Sequence, residues 1–133
     1  MRILLGAEVS IDEINAWVEE VNKEFDLSEH NWESVDYFVK IKNFCVFILE
    51  PDWYAVLMFD SDMWGNRELQ VISYYIRKEK RSFKTFREIN KKFEELARAF
   101  DCRYLLQGSH LDKRLFDYLG KSGYKLAVMK KEL

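Results

Sequence analysis

The sequence predicts an α/β (α+β) domain in which a mixed central sheet is flanked by helices. The strongest indication is residues 69–97, where an apolar, β-branched and aromatic run of strand length is followed by a basic turn and then by helical periodicity. A second indication is the order of predicted elements along the chain. A third is composition: 16% aromatic residues and one proline in 133 residues predict an ordered chain with one core rather than a disordered one. We therefore expect a single domain over residues 1–133.

The predicted order is β-α-α-β-β-β-α-β-α-β, and each element follows from its local pattern. Alternating or continuous apolar runs predict strands, and apolar residues spaced three and four apart predict helices. The predicted elements are strand 2–8, helix 11–25, helix 32–43, strand 46–50, strand 53–59, strand 69–76, helix 83–100, strand 104–107, helix 113–119 and strand 124–129. Strand 69–76 is expected to be the middle strand, buried on both faces.

Capping and turn residues support the boundaries of these elements. Ser10 with Glu13 three residues later is a capping box, and Ser82 is expected to cap the long helix. Asp112 can cap the last helix, and the Pro51-Asp52 pair predicts a tight turn between two strands. The apolar stripe of the long helix predicts which residues face the core: Phe83, Phe86, Ile89, Phe93, Leu96, Ala97 and Phe100.

Several classes of function are disfavoured by what the sequence contains. Cys45 and Cys102 lack metal-ligand spacing and are expected to be buried free thiols in a reducing compartment. His30 and His110 are too isolated to indicate a metal site or a catalytic triad. No apolar run approaches the length of a membrane span, and residues 1–2 lead straight into a strand-like segment rather than a signal peptide. We expect no membrane association.

The net charge of −2 hides a division between the two halves of the chain. Residues 1–70 carry five Lys and Arg against fifteen Asp and Glu, whereas residues 71–133 carry sixteen against eight. The basic half suits a phosphorylated ligand, and the acidic half suits an amine substrate or a basic protein partner. Mutual attraction of the halves within one domain explains the same division equally well. Oligomerisation stays open.

The turn after strand 69–76 carries a resemblance to a known family. Residues 81–86 read Arg-Ser-Phe-Lys-Thr-Phe, and the closing segment 115–124 reads LFDYLGKSGY. Together with the order of elements, these segments resemble the Gcn5-related N-acetyltransferase (GNAT) family, whose central strand runs into a turn written R/Q-x-x-G-x-G/A. Arg81 matches that pattern, whereas Lys84 and Phe86 stand where the family has small residues. Small, glycine-poor chains of this style also occur among tailed-phage proteins.

The resemblance implies a cofactor, a site and roles for particular residues. In the family, a bulge separates the central strand from its neighbour, the pantetheine arm of acetyl-CoA pairs with the backbone exposed there, and the turn holds the pyrophosphate. Carried over to this sequence, the cofactor-binding residues are Tyr74, Tyr75, Ile76, Arg81, Ser82, Phe83, Lys84, Thr85 and Asp112. The catalytic residues implied are Glu68 as general base and Tyr118 as acid. Lys84 and Phe86 crowd the turn, so acetyl-CoA binding is expected to be weak or absent.

For three of these residues a structural role competes with the functional one. Tyr118 lies one position from the family's tyrosine, which turns a helical side chain by about 100°, so an ordinary half-buried aromatic explains it as well. Glu68 equally suits a solvated carboxylate at a strand end. Asp112 equally suits a helix cap.

Three functions compete on the sequence alone. The first is an acetyl-CoA-dependent N-acetyltransferase acting in the cytoplasm. The second is a non-catalytic GNAT-like interaction or structural protein, for example a phage virion component. The third, ranked last, is nucleic-acid binding through a run of cations that Glu79 and Glu88 interrupt: Arg77, Lys78, Lys80, Arg81, Lys84 and Arg87.

Overall fold

A computed structural model of the protein describes residues 2–25, 35–107, 121, 123 and 124. The elements, in chain order, are β1 (Arg2–Leu5), α1 (Ile11–Phe25), α2 (Val35–Ile41), β2 (Cys45–Leu49), β3 (Trp53–Ser61), β4 (Arg67–Ile76), α3 (Phe83–Ala99) and β5 (Tyr104–Leu106). Short 3₁₀ helices span Gly6–Glu8, Lys42–Phe44 and Lys78–Lys80. This order agrees with the predicted one as far as β5. The predicted last helix and last strand fall almost wholly outside the described residues.

The five strands of the described residues form one mixed sheet in the order β1-β2-β3-β4-β5. The first four strands are antiparallel neighbours, and β5 runs parallel to β4. Strand β4 was predicted to be the middle strand. Among the five strands of the described residues it is an interior strand between β3 and β5, and β3 is the middle one. Residues 53–57 of β3 are fully buried.

The helices cover opposite faces of this sheet and create two cores. On one face, α1 and α2 contribute Ile14, Val18, Val21 and Phe38 against Phe47, Tyr54, Val56 and Tyr75. On the other face, α3 contributes Ile89, Phe93, Leu96 and Ala97 against Ile48, Leu57, Leu69 and Ile76. A sheet packed on both faces needs near-continuous apolar strands, which β2 and β3 supply. The fold class predicted from the sequence is thus confirmed: α/β, with a mixed sheet between helices.

Strand β4 contains a bulge, which explains a difference from the sequence prediction. Leu57 pairs with Val71 while Val56 pairs with Ser73, so Ile72 is the extra residue on β4. The expectation that residues 69–76 are buried on both faces holds only for Leu69, Tyr75 and Ile76, and the five residues from Gln70 to Tyr74 are only half-buried. Pairing with β5 covers only Glu68–Gln70, so the later part of β4 lies beyond that ladder.

Local capping follows the sequence prediction, whereas two stripe residues do not. Ser10 accepts a hydrogen bond from the amide of Glu13 (3.2 Å), as the capping box predicts. Phe83, placed on the buried stripe by its spacing, is 70% exposed, and Phe100 is 46% exposed. Phe83 is the first residue of α3, and Phe100 follows its last residue. The stripe prediction was wrong for Phe83, whereas Phe100, although 46% exposed, still packs against Phe59 of the α3 core at 4.9 Å between ring centroids.

The two cysteines are free thiols, as predicted, but only Cys45 is fully buried. Burial raises the pKa of the Cys45 thiol to about 11. Burial also raises the pKa of Cys102, which is half-buried beside α3. Neither thiol therefore has the lowered pKa of a reactive cysteine.

Candidate functional site

The candidate site comprises the bulge in the middle of β4 and the turn that follows this strand. Beyond the bulge, β4 continues through Tyr74, Tyr75 and Ile76, the residues implied for the pantetheine arm. The side chain of Tyr74 faces the α3 core, where it meets Phe86 edge-on at 5.9 Å between ring centroids. The side chain of Tyr75 faces the opposite core and is 7% exposed. The strand thus enters the turn fixed from both faces.

The start of α3 is closed by its own side chains. The Ser82 hydroxyl accepts from the amide of Thr85 (3.1 Å), which confirms Ser82 as the N-cap. The Thr85 hydroxyl in turn donates to the carbonyl of Lys80 (2.9 Å), and the amide of Phe86 donates to the carbonyl of Ser82 (3.0 Å). The amide of Thr85, one of the donors that a helix N-terminus offers to an anion, therefore already has a partner inside the turn, whereas the bond from Phe86 is the first regular bond of the helix.

Lys84 and Phe86 behave as their residue types predict. Phe86 packs against the α3 core, so this position serves packing where the related family has a small residue. Lys84 is exposed, which leaves its long side chain able to swing outward. The exposed Phe83 beside it adds apolar surface at the mouth of the turn. The turn is therefore crowded on its inner side and cationic on its outer side.

Arg81 is held by three groups of its own chain. Its two terminal nitrogens approach the two carboxylate oxygens of Glu24 on α1, each at 2.7 Å, which is the bidentate geometry of strong Arg–carboxylate pairs. Its Nε donates to the carbonyl of Ile76 (2.9 Å). The guanidinium also lies 5.5 Å from the ring centroid of Tyr75. The predicted pyrophosphate residue thus already has an anionic partner.

Arg77 makes a parallel set of contacts one helical turn away on α1. Its Nε and one terminal nitrogen donate to the two oxygens of Glu20 at 2.8 and 3.3 Å. Asp52 lies 4.0 Å from the other terminal nitrogen, and the guanidinium sits 5.3 Å from the ring centroid of Trp17. Hydrogen bonding to Glu20 raises the pKa of Arg77. Two acids of α1 therefore bind two arginines of the β4–α3 connection.

The pKa values of Glu24 and Tyr75 record this arrangement. Burial alone would raise the pKa of Glu24, but hydrogen bonds from Arg81 and Tyr75 outweigh it, and the net shift is downward. Burial, followed by the hydrogen bond to Glu24, raises the pKa of the Tyr75 hydroxyl. Glu24 is consequently ionised at neutral pH, and Tyr75 stays a neutral donor to it.

We expect the pKa of Glu24 to depend on Arg81. In the wild type, carboxyl ¹³C titration by NMR should place the Glu24 pKa below the usual glutamate value, and Arg81→Ala should raise it because burial then acts with less opposition. A lowered folded-state pKa stabilises the fold at pH above the unfolded pKa, and this contribution is lost as the pH falls through the folded pKa. The stability deficit of Arg81→Ala should therefore be larger at pH 7 than at pH 3. A Glu24 pKa that Arg81→Ala leaves unchanged would contradict this prediction.

The implied catalytic residues are only partly placed by the structure. Glu68 is half-buried at the start of β4, opposite Asp60 on β3 and Tyr104 on β5. It lies four residues before Ile72, roughly 13 Å along the strand, so a proton moving between Glu68 and the bulge would pass through water. Tyr118 and Asp112 lie outside the described residues, as do His30 and His110. These assignments remain predictions.

Glu20 and Glu24 were missed by the sequence reasoning. The available signal was their spacing of four on α1, which matches the spacing of four between Arg77 and Arg81. The charge division between the halves of the chain is thereby partly explained as an attraction within one molecule. In the described part of the chain, no group of His, Cys, Asp and Glu could hold a metal ion. No helix in that part is long and apolar enough to span a membrane.

The sequence matches no protein-family model and no curated protein. Solved structures do match. An acetyltransferase from Trypanosoma brucei superposes with a TM-score of 0.67 at 10% identity, covering 99% of this chain and 97% of that chain. An aminoglycoside acetyltransferase from an uncultured soil metagenomic sample, solved with sisomicin, gives 0.72 at 7% identity, covering 99% and 93%. A second aminoglycoside acetyltransferase from such a sample gives 0.69 at 11% identity, covering 99% and 95%.

The likeness defines the class of fold. Coverage is nearly complete on both sides of each comparison, and the fold is that of the GNAT acetyltransferases. At identities of 7 to 11% this likeness concerns the fold alone.

Proposed function

We propose that the protein is an acyl-CoA-dependent N-acyltransferase that uses acetyl-CoA and acts on an amine. The observation that carries this proposal is the bulge at Ile72 beside a β5 ladder that covers only Glu68–Gln70, within a GNAT-like fold. A bulge changes the direction of the strand and its backbone groups, and such features often lie beside active sites. The basic turn after β4 supplies charge for a phosphorylated cofactor.

The proposed chemistry needs few side chains. The amine nitrogen attacks the thioester carbonyl carbon, a C–N bond forms, the C–S bond breaks, and the amine proton must reach a base while the leaving thiolate gains a proton. Backbone amides near the bulge would polarise the carbonyl. Glu68 would accept the amine proton through water, and Tyr118 would protonate the thiolate. Tyr74, Tyr75 and Ile76 would position the pantetheine arm.

The fit of the turn to a pyrophosphate is incomplete, so the proposed affinity is low. Thr85 donates its amide to the Ser82 cap, and Arg81 is paired with Glu24. Lys84 is an exposed cation of the turn, and Lys78 and Lys80 just before it are exposed as well. We expect calorimetry to give a Kd for acetyl-CoA on the order of 0.1 mM or poorer, equivalent to roughly 5.5 kcal/mol or less.

Lys84→Ala should weaken acetyl-CoA binding by about fivefold and flatten its dependence on salt, because one contact to phosphate is lost. Arg81→Ala should also weaken binding, through a contact that Glu24 already shares. Lys91→Ala is the matched control, since Lys91 is an exposed lysine of the same helix, about 10 Å further along its axis. Lys84→Gly separates crowding from charge: tighter binding than the wild type would identify crowding as the limiting factor. Equal affinities in wild type, Lys84→Ala and Arg81→Ala would remove the proposed pyrophosphate site.

A second candidate function is supported by the same closed turn. A GNAT-like protein without catalysis, acting as an interaction or structural component such as part of a phage virion, has no need of an accessible anion site. The side chains of Met63 (84%) and Trp64 (80%) are exposed in the β3–β4 turn, where the backbone amides of Trp64 and Asn66 donate to Asp62 Oδ1. Such exposed apolar side chains favour contacts with another protein. No detectable binding at millimolar acetyl-CoA would favour this second function over the first.

A further inference from the structure

The carboxylate of Glu24 binds the hydrogen-bond donors of Arg81 that a phosphate group would use. Its two oxygens meet the two terminal nitrogens of Arg81 at 2.7 Å each, and Arg81 Nε is bound to the Ile76 carbonyl. A planar guanidinium binds carboxylates and phosphates through the same fork of donors. A ligand phosphate that reached Arg81 from this side would have to displace the carboxylate.

We propose that Glu24 competes with ligand phosphate for Arg81 and thereby sets the anion affinity of the β4–α3 turn. The ligand named here, acetyl-CoA, rests on the proposed function, but the competition itself concerns any phosphate-bearing ligand. Glu24 is in this sense a positioning residue. It acts on the ligand through Arg81.

The surroundings of Glu24 indicate that it is held there by its partners. It lies in the last turn of α1, where the partial negative charge of the helix end disfavours a carboxylate. Arg81 and the Tyr75 hydroxyl offset this cost by bonding to it. The carboxylate is 18% exposed and Arg81 is 34% exposed, so the pair is accessible to a ligand yet stronger than a fully solvated pair.

The charge of Glu24 determines how strongly Arg81 attracts a phosphate. With Glu24 ionised, Arg81 contributes little net positive potential to the turn, and a ligand meets mainly the exposed lysines of the connection, Lys78, Lys80 and Lys84. With Glu24 neutral, the whole charge of Arg81 becomes available to a phosphate. We expect a gain in affinity of about fivefold, which is the size of one partly exposed ion pair.

The test compares Glu24→Gln with Glu20→Gln. Both substitutions replace a carboxylate of α1 that binds an arginine. Glu24 binds Arg81, the residue proposed to contact pyrophosphate, whereas Glu20 binds Arg77, so Glu20→Gln is the matched control. Calorimetry would use acetyl-CoA and, as a donor without phosphate, S-acetyl-N-acetylcysteamine. Glu24→Gln should bind acetyl-CoA about fivefold more tightly, with a steeper salt dependence, and bind the phosphate-free thioester unchanged. Glu20→Gln should resemble the wild type in both titrations.

Unchanged or weaker acetyl-CoA binding in a folded Glu24→Gln variant would overturn the inference, as would equal gains for both thioesters. Inorganic pyrophosphate separates this inference from the proposed function. If Glu24→Gln binds pyrophosphate more tightly than the wild type while acetyl-CoA is not bound by either, the competition stands and the acyltransferase proposal fails. If Glu24→Gln does not fold, Glu24→Asp keeps the test open, since a shorter carboxylate should give a smaller gain in the same direction.

Discussion

Gly6→Ala is expected to destabilise the protein by about 3 kcal/mol, as a backbone clash in a packed region does. Gly6 is buried in the 3₁₀ helix after β1, and a Cβ built there would lie 1.3 Å from the carbonyl oxygen and 2.3 Å from the carbonyl carbon of Lys42. The obstacle is backbone on both sides, so relief requires the two 3₁₀ helices to move apart. Chemical denaturation followed by circular dichroism would measure the loss in the free energy of unfolding.

Gly65→Ala is the matched control for this effect. Gly65 has φ +81° in the β3–β4 turn, and nothing lies within 4 Å of a Cβ built there. Alanine at this position incurs only the conformational cost of the left-handed region, about 1 kcal/mol. A loss for Gly6→Ala no larger than that for Gly65→Ala would contradict the close contact between Gly6 and the Lys42 backbone.

Phe93→Ala is expected to destabilise the protein by about 3 to 5 kcal/mol, the usual range for a buried phenylalanine. Phe93 is completely buried in the α3 core, and its ring meets that of Tyr74 edge-on at 6.0 Å between centroids. The substitution removes apolar contacts on the strand that carries the bulge. Thermal unfolding should show the loss as a lowered Tm.

The control for Phe93→Ala is Phe83→Ala on the same helix. Phe83 is 70% exposed, and removing its ring should change the free energy of unfolding by no more than about 0.5 kcal/mol. Comparable losses in the two variants would contradict the assignment of Phe83 to the surface. The two variants also test why the prediction from helical spacing, which placed both phenylalanines on the buried stripe, was wrong for Phe83.

Much of the fold follows from local signals in the sequence. The element order, the capping box at Ser10 and the N-cap at Ser82 were predicted, because each depends on residues only a few positions apart. The exposure of Phe83 could not be predicted in this way. Helical spacing gives the direction of a side chain, but where the covered sheet ends depends on packing between distant elements.

The position of the candidate site was predictable from the sequence, but the pairing of its arginine with a carboxylate was not. The basic turn after β4 was found because its cations are contiguous in the sequence. The pairing of Arg81 with Glu24 joins residues 57 positions apart. Such a contact follows only once α1 is known to pack beside the end of β4. Phe86 was predicted to pack inward, since it shares the apolar stripe of Ile89 and Phe93, and the structure agrees.

The bulge at Ile72 also determines which side chains of β4 reach which core. Leu69 and Val71 face the α3 core, and after the bulge Tyr74 and Ile76 face that same core, although they fall on the opposite parity of a regular strand. In a chain lacking Ile72, all the remaining side chains of β4 would therefore stay on their present faces. It would gain a regular ladder with β3 and lose only the kink. A one-residue deletion inside a sheet usually moves side chains to the wrong face. Here the deletion of Ile72 would preserve the packing of β4 and remove the bulge that is proposed to serve catalysis.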